Sequence, residues 1–95
     1  MTRRAVSLEV ARAVLYHYGD MNLGVEPGSF FRALLVAISR ADLSNRELLS
    51  AGFPEYVAAV AAVKDEPWGL DWLRGIVKAE LDGVDMGLDF SEVRS

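Results

Sequence analysis

The chain has no cysteine and a single histidine, His17, among its 95 residues. The first absence removes disulfides, thiolate metal sites and a cysteine nucleophile together, and it fits a reducing compartment. The second leaves one imidazole for any acid–base chemistry. Long apolar runs are missing as well, because Arg32 and Arg40 bracket the greasiest segment and cut it short of the ~18 uninterrupted apolar residues a membrane span needs. The opening Met1-Thr2-Arg3-Arg4 leads into an amphipathic stretch containing Glu9 and Arg12, unlike the unbroken apolar core of a signal peptide. These features predict a cytoplasmic protein without a membrane contact. Cationic excess is also lacking. The formal charge is −4, and residues 82 to 95 set Asp82, Asp85, Asp89 and Glu92 against Arg94 alone, so the body of the chain is near neutral. No polyanion-binding footprint is present.

What is present is apolar material at helical spacing. Hydrophobic residues make up 52% and charged residues 25% of the chain, which is the balance of a folded globule. A chain of this length buries roughly 60–65% of its unfolded surface, enough for one core. In Ser7 to Tyr18, Leu8, Ala11, Leu15 and Tyr18 recur on one face, and Gly19 suits the C-terminal stop of a first helix. The connector from Gly19 to Gly28 is long for a small bundle and is expected to wrap against the core through Met21, Leu23 and Val25 or to move freely.

The segment from Ser29 to Ala41 carries Phe30, Phe31, Ala33, Leu34, Leu35, Ala37 and Ile38 over an apolar arc of roughly 200°, which predicts a helix covered on two or three sides. Ser29 is its expected N-cap. Ser44-Asn45-Arg46-Glu47 matches a reciprocal capping box and predicts a short third helix ending at Gly52. Pro54 suits the first turn of a fourth helix running to about Lys64, lined by Ala58, Ala59, Ala61 and Ala62. A fifth helix is expected over about Leu70 to Leu81, with Gly75 tolerated if a neighbour packs against it. The prediction is an all-α fold: a compact bundle of four to five short helices around a central hydrophobic helix at about 29–41. It forms one domain over 1–82 and is followed at 83–95 by an acidic tail that is partly ordered or bound by a partner.

Chemical motifs are sparse. His17 lies beside Asp20, but no nucleophile-elbow pattern accompanies it, and a helix-end imidazole near the last carbonyls of the first helix accounts for it better. Asp20-Met21-Asn22-Leu23-Gly24 resembles the start of a calcium loop, yet Val25 and Phe31 stand where glycine and a bidentate glutamate are required. The pairs Asp65/Glu66 and Asp82/Asp85 fall at helix ends, where carboxylates are solvated. No cofactor, metal or catalytic set is expected. Residues 33–52 form a degenerate helix-turn-helix pattern in which Arg40, Asn45 and Arg46 would read DNA, although Glu47, Glu55 and the overall acidity oppose it. The stronger signal is a late surplus of large apolar groups. Tyr56, Val60, Trp68, Trp72, Met86, Leu88 and Phe90 predict a docking surface for a protein partner or for a second copy in a homodimer.

The strings Tyr16-His17-Tyr18-Gly19-Asp20, Glu26-Pro27-Gly28-Ser29-Phe30, Ala41-Asp42, Asn45-Arg46 and Phe53-Pro54-Glu55-Tyr56-Val57 give a resemblance from about Val6 to Leu81. On those residues the chain resembles the small uncharacterised helical proteins encoded by phages and prophages of actinobacteria. The resemblance implies a phage-type accessory protein in a bacterial host, with no catalytic residues to carry over and a host or phage protein as partner. The expected function is therefore a non-enzymatic protein–protein interaction module, the alternative being a small DNA-binding transcriptional regulator.

Overall fold

The computed structural model describes residues 6–86, and for 82–86 the backbone alone. Among the described residues the chain forms five helices: α1 (Leu8–His17), α2 (Ser29–Arg40), α3 (Leu43–Gly52), α4 (Pro54–Asp65) and α5 (Gly69–Met86). Local chemistry sets their ends. Ser7 caps α1 by accepting from the Val10 amide at 3.3 Å, and Gly19 follows in the left-handed region at φ 99°. Asp42, rather than Ser44, caps α3, with its carboxylate accepting from the Asn45 amide at 2.9 Å. The expected capping box is displaced because the α2–α3 turn needs only Ala41 and Asp42, which leaves Ser44 inside the helix. Ser29 likewise is the first residue of α2, and Gly28 takes the cap position without a side-chain bond.

The bundle is all-α as the periodicities predict, but its centre is α4. This helix packs on α1, α2, α3 and α5, whereas α3 touches only α2 and α4. The physical reason is circumference. Tyr56, Val57, Ala59, Val60 and Ala62 are all buried, so α4 is covered over more than half of its circumference, with Ala58 and Ala61 half-buried on the rest. Its alanines keep it slim enough for neighbours to close in. The segment at 29–41, expected at the centre, instead buries only Leu34, Leu35 and Ile38, and Phe30 stays 61% exposed. Bulk on one face and methyl groups on the other make it a covering helix.

Cross-links fix the helix directions. The Ser7 amide donates to Glu55 Oε1 at 2.7 Å, which sets the starts of α1 and α4 side by side. Phe31 stacks on Tyr56 with centroids 5.0 Å apart, so α2 starts at the same end, and Lys64 Nζ donates to the Ser39 carbonyl at the other. α3 and α5 run back. The long connector follows from this arrangement, since the chain must return along α1 before α2 can begin. Val25 N–H donates to the Arg12 carbonyl at 3.1 Å and Arg12 Nε to the Leu23 carbonyl at 3.0 Å, so the return is tied to α1 by one main-chain and one side-chain bond. Leu23 packs on the core, while Met21 and Val25, also expected to wrap against it, face outward. A Cβ at Gly75 would meet nothing within 4 Å, so no neighbour packs there to offset its cost. α5 continues through Met86, past the Leu81 end expected from its apolar stripe.

Candidate functional site

Of the residues expected to form a docking surface, the four with described side chains, Tyr56, Val60, Trp68 and Trp72, do not share one. Tyr56 is 9% and Val60 0% exposed, both locked into the core because they sit on the helix that every other helix covers. They are corrected from surface to core. Trp72 is half-buried against the core, edge-on to Trp68 at 5.8 Å, and Trp68 alone of the four is open, at 51%. Met86 is the last residue of α5, and Leu88 and Phe90 lie outside the described residues. Of the alternative nucleic-acid readers, Arg40 and Asn45 are exposed. Arg46 is not free to read bases, because its Nη1 pairs with Asp65 Oδ2 at 2.9 Å across the α3–α4 contact. His17 closes α1 with its ring edge-on to Tyr18 at 5.0 Å, and among the described residues no carboxylate or hydroxyl engages it.

The open apolar side chains lie elsewhere. Leu43 and Leu48 of α3 are 77% and 74% exposed, and α3 buries no residue. Phe30 of α2 is open as well, at the end of the α2–α3 hairpin away from the turn, where its ring lies 6.0 Å from that of Phe53 just past the end of α3, whereas Leu43 stands at the turn end beside Arg46, Glu47, Ser50 and Val57. The two helices also expose small residues: Ala33 and Ala37 on α2, Ala51 and Gly52 on α3. Sequence reasoning missed these open positions because Phe30, Leu43 and Leu48 occur at the spacing of core residues. A signal did exist in the weak patterning of α3, which has too few apolar positions to line a buried stripe.

A second feature is a cleft of about 330 Å³ at the end where α1, α2 and α4 begin. Leu8, Glu9, Arg12 and Ala13 of α1 form one wall, Val25 to Gly28 the other, and Phe31 and Tyr56 the floor. The floor is rigid, since the two rings stack at an interplanar angle of 16°. Arg12 is a strut between the walls through its bond to the Leu23 carbonyl. Glu26 is engaged by Arg32 Nη1 at 3.0 Å, whereas Glu9 has no ion-pair partner among the described residues. Burial raises the Tyr56 hydroxyl above its ordinary pKa, and the charges of Glu9 and Glu55 push it further the same way.

No cluster of three or more potential metal ligands exists among the described residues, and no described helix is long and apolar enough to cross a membrane. No protein-family model matches the chain, and no curated protein or solved structure matches it either.

Proposed function

We propose that this chain is a small, non-enzymatic helical module that binds another protein through the outer face of the α2–α3 hairpin. The observation that carries the reading is the exposure of Leu48 at 74% on α3 and of Phe30 at 61% on α2, two helices that pack on each other and also expose Ala33, Ala37, Ala51 and Gly52. Each such side chain contributes about 1.5–3 kcal/mol when it leaves water. Small residues beside them let a partner backbone approach closely, and an apolar helix laid along the groove between two helices is a common way to use such a face. The phage-type setting, with a host or phage protein or a second copy as the partner, rests on the sequence resemblance alone.

The test compares the wild-type chain with Leu48→Glu and Phe30→Glu, both at exposed positions. Light scattering reports self-association and a pull-down from a bacterial lysate reports other partners. Association lost in both variants, with helicity retained, supports the reading. Association unchanged in both ends it.

A further inference from the structure

We propose that the cleft between α1 and the start of α2 is a binding site for a small organic cation, an ammonium carried on an aromatic or aliphatic body. The cavity, about 330 Å³, falls within the volume range of small-molecule sites, and it is already formed, because Arg12 braces its walls and the Phe31–Tyr56 stack fixes its floor. Two chemical features select the occupant. Aromatic rings present a partially negative face that attracts a cation and still receives an apolar body. Glu9 stands at the rim without a counter-ion, and the carboxylate field of Glu9 and Glu55 reaches the Tyr56 hydroxyl.

The opposing charges do not reverse this choice. Arg12 keeps its charge while its Nε donates to the Leu23 carbonyl, but it is the one cation in the lining, where Glu9 and Glu26 both stand. A carboxylate ligand would meet Glu9 and Glu26 at the mouth. A neutral apolar ligand would fill the same volume but leave Glu9 desolvated without compensation. The site is distinct from the α2–α3 face and does not depend on it.

The experiment is a titration of the ¹⁵N-labelled full chain with benzyltrimethylammonium, run in parallel with benzyl alcohol as the neutral comparison. The expected result is saturable shifts at the amides of Arg12, Gly28, Phe31 and Tyr56 with the cation, weaker at high salt. Glu9→Gln should reduce the affinity roughly three- to tenfold without changing the fold, as befits one partly desolvated cation contact. Val25→Trp, which plugs the mouth from an exposed position, should abolish the shifts. The proposal is overturned if benzyl alcohol binds as well as the cation. It is equally overturned if Glu9→Gln binds like wild type, or if no saturable shift is seen up to the solubility limit.

Discussion

Arg74 Nε donates to Asp20 Oδ2 at 2.9 Å, joining α5 to the loop after α1 across 54 positions of sequence. The other Asp20 oxygen accepts from the Leu23 and Asn22 amides at 2.9 and 3.0 Å, so one carboxylate closes the turn and also anchors a distant helix. These contacts, the Leu23 amide first and Arg74 second, hold the Asp20 carboxyl below its ordinary value of 3.8. A depressed folded-state pKa stabilises the fold above the unfolded value, and the contribution fades as the pH falls through the depressed one. The chain should therefore begin to lose stability on acidification below about pH 4, where the unfolded carboxyl takes up its proton before the folded one does. Asp20→Asn should be less stable at neutral pH and show a flatter acid limb. Urea midpoints between about pH 6 and about pH 3 measure both effects.

Two glycines of α5 should respond in opposite directions to the same change. A Cβ at Gly69 would collide with the main chain of Ala62 and Val63, where α4 passes into α5, and main chain cannot step aside as a flexible side chain can. Gly69→Ala should cost about 1–3 kcal/mol or more. Gly75 faces open space inside the helix, so Gly75→Ala should stabilise by about 0.5–1 kcal/mol. Chemical denaturation of the two variants beside wild type checks the pair.

How far the fold could be read from the chain follows the range of the interactions that set it. The faces of α1 and α5 were legible because Leu8, Ala11, Leu15 and Leu73, Val77 repeat locally, and a helix declares such a stripe without help from its neighbours. The centrality of α4 was not, since alanine and valine all round a helix give no directional pattern. Phe30 and Phe31 are adjacent, yet one is open and the other lies on Tyr56, a distinction made by where α4 sits. The capping of α3 fell between Asp42 and Ser44, two residues equally suited to it, and the length of the turn decided. The cleft draws on residues 8, 9, 12, 13, 25–28, 31 and 56, brought together only by the return of the connector along α1, so no spacing in the sequence could announce it.

Tyr18 carries a hydroxyl that is buried without a hydrogen-bond partner, and Arg46 Nε is buried and unpaired as well. Burial raises the tyrosine pKa, and the Arg46 charge opposes the rise. A hydroxyl in this state stabilises nothing and retains its desolvation cost. Tyr18→Phe should therefore leave stability unchanged or raise it by up to about 1 kcal/mol. Thermal unfolding decides the matter, and a loss greater than about 1 kcal/mol would show that the hydroxyl is bonded in solution.

Inserting bulk into α2 and α4 discriminates between the two candidates for the centre of the bundle. Ala59 is fully buried on α4, and Ala33 lies exposed on the outer flank of α2. Leucine at position 59 has no space to enter without displacing a neighbouring helix, so Ala59→Leu should cost about 1–3 kcal/mol or more through overpacking. Leucine at position 33 projects into solvent, and Ala33→Leu should change stability by no more than about 0.5 kcal/mol. The two substitutions add the same atoms to the same residue type, both within helices, so helix propensity and unfolded-state effects largely cancel in the difference. Urea unfolding of both variants reads that difference directly. If Ala33→Leu proved the more damaging, α2 rather than α4 would be the helix enclosed by the others, and the open face assigned to Phe30 and Leu48 would be lost with it.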